Sequence, residues 1–423
     1  MDANQLGLVS SIFTLGGLFG ALASGSLSAR YGRLRVMRIN TLLLAFGPLA
    51  EALAPNIGAL AFGRFISGLG AGVSVVVVPI YISEIAPPSE KGFFGAFTQI
   101  MTNMGIFTTQ VLGYFLSRGS LWRIILAAAG AIGVVQFFAL IGAVDSPKWT
   151  AENRNPRQAK LDLLKIRGEA VNVEEETAGW NGADDSDEEQ QTLLSAPDAQ
   201  STNRPTKQPT LSIFGVLSSS THRGAILAVV VVMMAQQLCG INSIIMYGVS
   251  LLSDLLAANS ALLNILVSVL NVLATTGFAP LADILGRKVV LLASIGGMGT
   301  SSVLLAIGIR ASIPILSAVA VLAFVASFAF GLGPVPFILA SELVGPEAVG
   351  ATQSWALAAN WISTFIIAQF FPLVNEQLGK GLVYFVFAAL AAMFFLFVGW
   401  YVPETKGKKD ADEVWGRQPR RED

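Results

Sequence analysis

The glutamine pair Gln236 and Gln237 and the asparagine Asn242, in the stretch QQLCGIN, interrupt an otherwise apolar run from about residue 223 to 250. An amide that faces hydrocarbon without a partner is costly, so these side chains must face protein or a watery cavity. Each amide carries a carbonyl acceptor and two N–H donors, which together match neighbouring hydroxyls that both donate and accept. Neutral amides suit a neutral, hydroxyl-bearing ligand. On a straight helix Asn242 would point about 140° away from Gln237. One pocket can hold both only if the chain bends, and Gly240 between them is the expected point of a break. Gln99, Asn271 and Asn360 lie at similar depth in three other apolar runs and fit the same cavity. Phe337 and Trp361, with Phe328 and Tyr247, could wall it against C–H faces. The plainer alternative is that the amides only tie helices together, at about 0.6–2 kcal/mol each, and that the aromatic rings only pack.

Other chemistry finds little support. The lone cysteine, Cys239, excludes an intrachain disulfide and a cysteine metal cluster. The single histidine, His222, stands beside Arg223 at the start of an apolar run and reads as interfacial. No nucleophile–base pair, metal cluster or phosphate loop is visible, so no enzymatic activity, cofactor or metal is expected. A net charge of −1 gives no electrostatic argument for nucleic acid.

The elements that must position these residues are membrane helices. Of 423 residues 53% are hydrophobic and 13% charged, and the mean hydropathy is +0.63. A crossing needs about 20 apolar residues. Such runs fall at 6–28, 36–54, 57–82, 91–115, 121–142, 223–250, 259–282, 288–309, 313–340, 349–374 and 380–402. The expected fold class is an all-α membrane protein of about eleven transmembrane helices in two pseudo-repeated bundles, 1–144 and 223–402. Between them lies a cytosolic loop, 145–222, and after them a cytosolic tail, 403–423. Lysine and arginine bias sets the orientation: Arg30, Arg33, Arg35, Arg38, Lys91, Arg287, Lys288, Lys406, Lys408 and Lys409 fall on one face. Arg118, Arg123, Arg310 and Lys380 fall on the other.

GSLSARYGRLR at 25–35 and FAPLADILGRK at 278–288 repeat one pattern, an apolar helix, a Gly-Arg turn and another helix. One helix precedes the first copy where two precede the second, so the first bundle is expected to be one helix short. In the loop, Leu161, Leu164 and Ile166 suggest a short amphipathic helix over 156–168, followed by disorder over 171–210. Glu189, Leu193 and Leu194 there fit an acidic dileucine sorting signal.

The joint order of several motifs resembles the sugar porters of the major facilitator superfamily, the group of GLUT-type and fungal hexose carriers. They are GRFISGLGAG (63–72), PIYISEIAP (79–87), the two Gly-Arg turns, QQLCGIN, GLGPVPF (331–337), NW (360–361) and VPETKG (402–407). The likeness spans residue 5 to about 415, the polar loop excepted, and implies the major facilitator fold. Departures are Ala29 for the acidic residue of the first Gly-Arg motif, DSPK (145–148) for the usual ESPR, Lys91-Gly92 and Val349-Gly350 for Arg-Gly pairs, and Ala329 and Phe337 where many glucose carriers have a carboxylate and a tryptophan.

The resemblance implies alternating access: the bundles rock about a central site and move a hexose or related polyol, by facilitation or proton coupling. Gln99, Gln236, Gln237, Asn242, Asn271 and Asn360 align with sugar-binding amides of the family. Arg64 is implied to act in support near the outer mouth. Arg33, Glu84, Lys91, Arg287 and Glu342 would form a cytosolic charge network that ties the bundles when the cavity faces outward. Pro334 and Pro336 would hinge a gating helix. The expected partners are a small-molecule sugar, the lipid bilayer and sorting adaptors at the loop, with a vacuolar, endolysosomal or plasma-membrane address. Alternative readings keep the scaffold without the flux: a sugar sensor, a trafficking receptor or an inactive truncated form.

Overall fold

The computed structural model describes residues 3–87, 91–153, 155–168, 173, 177, 213–256, 260–278, 281–345, 348–379, 381–408 and 411–416. The side chains of Lys91 and Asp283 and the sequence of the sorting signal, Glu189, Leu193 and Leu194, lie outside what is described. So does most of 171–210.

In hydrocarbon every backbone polar group must find a partner inside its own segment, and the apolar runs accordingly fold as helices. The first bundle comprises α1 (Ala3–Tyr31), α2 (Arg33–Leu53), α3 (Ile57–Ile85), α4 (Lys91–Leu116) and α5 (Trp122–Ile141). Two short helices follow, α6 (Pro147–Asn153) and α7 (Pro156–Arg167). The second bundle comprises α8 (Ile213–Ser218), α9 (Ser220–Leu238), α10 (Ile241–Leu256), α11 (Ser260–Phe278), α12 (Leu281–Leu285), α13 (Arg287–Arg310), α14 (Pro314–Ser327), a π-helical turn (Phe328–Leu332), α15 (Val335–Glu342), α16 (Val349–Leu378) and α17 (Val383–Tyr401). A last turn, α18 (Ala411–Val414), closes the described chain. Among the described residues nine helical stretches are long and apolar enough to cross a membrane, and Leu262–Phe278 adds a shorter apolar helix. With α4, of 26 residues, these match the eleven expected crossings.

The bundles hold together differently. A continuous buried core fills the second, with Met233, Leu291, Met298, Phe324, Leu339 and Tyr384 fully enclosed. The first has a small buried cluster of Val36, Met37, Val73 and Val77. There α1 and α3 instead meet backbone to backbone: a side chain at Gly68 would strike the Phe13 carbonyl, and one at Gly72 the Gly17 carbonyl. The glycines of GRFISGLGAG are therefore packing residues, the small-residue device by which membrane helices approach closely.

The short helix expected over 156–168 forms as α7, with Ala159, Asp162 and Leu163 buried and Leu161 55% exposed. Arg167, in its last turn, donates to the Ile85 carbonyl at 2.7 Å.

The repeat is visible as a pair of matching corners. Gly32 and Gly286 sit at φ +94° and +97°, a region that glycine reaches without strain, and each turns the chain into a new helix. Against each glycine lies a carboxylate, Asp145 and Glu404, where a Cβ would intrude. Asp145 Oδ1 accepts from the Leu34 amide at 3.1 Å; Glu404 accepts from the Arg287 and Lys288 amides at 2.8 and 3.1 Å. Both carboxylates occupy a helix N-terminus, where unpaired N–H groups and the helix dipole favour negative charge.

Candidate functional site

The run over 223–250 breaks at Gly240, as its amides require, into two helices. α9 ends at Leu238, Gly240 takes φ +101°, and α10 starts at Ile241. The Phe387 ring lies where a Cβ on Gly240 would stand, so neither the conformation nor the space admits another residue. The break turns Asn242 back toward Gln237: its Nδ2 donates to Gln237 Oε1 at 2.6 Å. Gln237 Nε2 in turn donates to Gln236 Oε1 at 3.2 Å, and Asn360 Nδ2, from α16, donates to the same oxygen at 2.5 Å.

A second break faces the first. After α14 the chain winds through the π-helical turn, and the Gly333 amide bonds the Phe328 carbonyl five residues back, at 2.9 Å. Pro336 has no N–H to offer the Leu332 carbonyl four residues earlier. Gln236 supplies the donor: its Nε2 reaches the Leu332 and Gly333 carbonyls at 3.0 and 2.7 Å. Ser294 Oγ completes the support, accepting from the Leu332 amide at 2.8 Å and donating to the Ser327 carbonyl at 2.6 Å. Pro334 and Pro336 thus fall at an interruption of the helix, as their chemistry requires, and Phe337 is half-buried against the core of the second bundle.

Each of the four amides gives an N–H to another amide or to the two carbonyls, and Asn360 Nδ2 also lies 3.9 Å from Met233 Sδ. Gln236 and Gln237 are buried, at 4% and 9% exposure, while Asn242 and Asn360 are half-buried. Among the described residues Asn242 Oδ1 and Asn360 Oδ1 accept no hydrogen bond. The cluster therefore keeps these two acceptors open beside the second N–H groups of Gln237 and Asn242, and can both accept from and donate to hydroxyls.

Gln99 and Asn271 belong to a separate relay on the seam between α4 and α11. Gln99 Nε2 donates to Asn103 Oδ1 at 3.1 Å, Asn103 Nδ2 to Thr275 Oγ1 at 3.1 Å, and Thr275 Oγ1 to Asn271 Oδ1 at 3.2 Å. The six expected amides thus form two groups, and Asn103 and Thr275 join them. Both were findable, since each stands four residues from an expected amide, on the same helical face of an apolar run.

The bundles meet along α1 and α16 and along α4 and α11. On the first seam Ser11 Oγ donates to Gln369 Oε1 at 2.6 Å, Phe13 lies 6.5 Å from the Trp361 ring, and that ring covers the bare backbone of Gly17. Trp361 is thereby packed between the bundles. Ser11 and Gln369 lie in the halves of α1 and α16 remote from the Gly-Arg corners, and Gly17 and Trp361 near the middles of those helices.

At that basic face the ion pairs stay inside each bundle. Arg33 holds Glu84 through two bonds of 2.8 and 2.7 Å, and Arg287 holds Glu342 with a shortest bond of 2.8 Å. Thr405 Oγ1 also donates to Glu342, at 2.5 Å. Both of these ion pairs join residues of the same bundle.

The opposite end of the first bundle carries a group the sequence reading did not single out. Glu51, at 1% exposure, accepts from Ser67 Oγ at 2.5 Å and lies 3.4 Å from Arg64 Nε, while Arg64 sits over the Phe13 ring. Gly63 makes room for it: a Cβ there would come within 2.7 Å of Glu51 Cγ.

Two helical bundles joined along two seams, each with a Gly-Arg corner, and a pair of broken helices with polar side chains between them define a multi-pass membrane transporter of the major facilitator fold. The family model described as "Sugar (and other) transporter" matches residues 2–414. The chain belongs to this sugar transporter family and is an integral membrane protein of sugar transport, not an enzyme. Among its relatives, a probable metabolite transport protein of Saccharomyces cerevisiae, YBR241C, is 33% identical over 413 residues, covering 97% of this chain and 82% of that protein. The vacuolar protein sorting-associated protein 73 of the same yeast is 30% identical, covering 96% and 82%. The facilitated glucose transporter member 2 of Gallus gallus is 31% identical, covering 94% and 73%. In structure, the xylose transporter XylE from Escherichia coli in a partially occluded inward-open conformation superposes with a TM-score of 0.77 at 23% identity, covering 96% of this chain and 89% of that one.

Proposed function

We propose that the chain carries a hexose or a related polyol by alternating access, with the cargo held between Asn242 and Asn360 of the second bundle and Gln99 and Asn271 on the seam. The observation that carries this reading is the pairing of Asn242 with Gln237 across the Gly240 break. The break gathers amides that a straight helix would scatter, and leaves half-buried carbonyl oxygens open to hydroxyl donors. Gln236 is the keystone of the cluster, since its amide braces the second broken helix while Asn360 leans on its oxygen. Phe337 and Trp361 supply apolar surface beside it. The relatives named as glucose and metabolite transporters support the same cargo class.

The basic face is the cytosolic one, by the lysine and arginine bias. The loop 145–222 and the tail 403–423 then lie in the cytosol. Arg33, Glu84, Lys91, Arg287 and Glu342 belong to a charge network that re-pairs between bundles when the cavity faces outward. Exposed pairs contribute about 0–1 kcal/mol each, weak enough to exchange. Pro334 and Pro336 give the gating helix its hinge. Glu189, Leu193 and Leu194 would be read by sorting adaptors for a vacuolar or endolysosomal address, a reading supported by the relative named for vacuolar protein sorting.

Reconstitution into proteoliposomes tests the transport reading. Saturable uptake of labelled D-glucose, inhibited by unlabelled sugar, is expected. Saturable binding without flux would instead favour a sensor on the same scaffold.

A further inference from the structure

The relay on the seam between α4 and α11 has a direction. Gln99 gives an N–H to Asn103, Asn103 gives one to Thr275, and the Thr275 hydroxyl donates to Asn271. Every donor points the same way, from the first bundle to the second. Asn103, Thr275 and Asn271 are buried, at 2%, 9% and 6% exposure, so their bonds are shielded from water. Such chains polarise along their length, and their polarity is fixed at both ends. At the start, Gln99 has committed one N–H and keeps Oε1 as an acceptor beside its second N–H. At the finish, Asn271 has committed Oδ1 and keeps its Nδ2 hydrogens as donors.

We propose that Asn103 and Thr275 are positioning residues that orient the Gln99 and Asn271 amides in opposite senses, so that the seam presents one acceptor from the first bundle and one donor from the second. The inference rests on the reading that Gln99 and Asn271 meet the cargo, and adds to it the kind of group they accept. A polyol matches such a pair because one hydroxyl can donate to Gln99 while a hydroxyl oxygen accepts from Asn271. A ligand with acceptors alone, such as an ether or a carboxylate, leaves the Gln99 Oε1 acceptor unmet. The relay also spans the two bundles, so a cargo that engages both of its ends bears on the contact between α4 and α11.

The test uses the full chain in detergent or proteoliposomes, with D-glucose and its singly deoxygenated analogues as probes. Thr275→Val keeps shape but removes the hydroxyl, freeing the Asn271 amide to turn. Thr275→Ser keeps the hydroxyl and serves as the rescue. Thr275→Val is expected to weaken D-glucose binding about 3- to 15-fold, the range spanned by single hydrogen bonds between membrane helices. Thr275→Ser should bind as wild type. For at least one deoxy analogue the Val penalty should vanish, because the hydroxyl that the relay positions is already gone. A merely structural role would lower the melting midpoint and penalise every analogue alike, and equal penalties across the set would overturn the proposal. If Thr275→Val fails to fold, Thr275→Ala carries the same comparison. Equal D-glucose binding by wild type and Thr275→Val would reject the relay and leave the rest of the site standing. An absence of saturable D-glucose binding by the wild type would reject the site reading and the relay with it.

Discussion

Gln236 donates its side-chain amide to the carbonyl oxygen of Leu332 at 3.0 Å, the acceptor that Pro336 leaves without a backbone donor. One broken helix is thus completed by a side chain from the helix that faces it. A testable coupling follows. Gln236→Leu leaves the Leu332 and Gly333 carbonyls buried and unpaired and should cost about 1–3 kcal/mol. Pro336→Ala returns an N–H to the Leu332 carbonyl, so in that background the Gln236→Leu penalty should shrink by at least about 0.5 kcal/mol. Denaturation of the two single variants and the double variant measures this; strictly additive penalties would show that the two breaks do not share the bond.

Pro336→Ala taken alone should straighten the segment between α14 and α15. Binding of labelled hexose is expected to persist while net transport falls, because the hinge and not the site has changed. Comparing equilibrium exchange with net efflux separates these effects. Net efflux equal to that of the wild type would remove Pro336 from the hinge.

The two corner carboxylates should behave as a matched pair. Asp145→Ala and Glu404→Ala each remove a helix N-terminal acceptor, worth about 0.5–2 kcal/mol. Glu404 accepts from Arg287, Lys288, Thr405 and Lys406 amides, whereas Asp145 accepts from Leu34 and Ser146. The Glu404 variant should therefore be the less stable of the two by thermal melting, and the reverse order would contradict the cap assignment.

Glu51→Leu removes a carboxylate buried between α2 and α3 and strands Arg64. Breaking a fully buried pair costs about 3–5 kcal/mol, but the Arg64 side chain is 40% exposed and water can reach it, so a loss of about 1–2 kcal/mol is expected. Glu51→Gln, which keeps an acceptor for Ser67, should recover part of it. A Glu51→Leu protein as stable as wild type would show that the pair contributes nothing.

Much of this architecture was legible in the chain. The crossings followed from apolar length, the corners from repeated Gly-Arg turns, and the break at Gly240 from the angle between Gln237 and Asn242. The partition of the amides was not, because it depends on which helices share a seam. Gln99 and Asn271 lie 172 residues apart in sequence and are joined only where α4 meets α11. Glu51 escaped notice since its partners, Arg64 and Ser67, come from the next helix and its burial is made by glycines, which leave no polar pattern to read.

If the amides gathered by the Gly240 break hold the cargo, their loss must weaken binding. Asn242 offers the most direct measurement, because its side chain makes one hydrogen bond, to Gln237, and carries little of the fold. Equilibrium binding of labelled D-glucose to wild type and Asn242→Ala, with melting midpoints recorded beside it, is the experiment. The dissociation constant should rise about tenfold or more with the midpoint little changed, the loss of about 1.4 kcal/mol of binding energy. Equal affinity in the two proteins would contradict it.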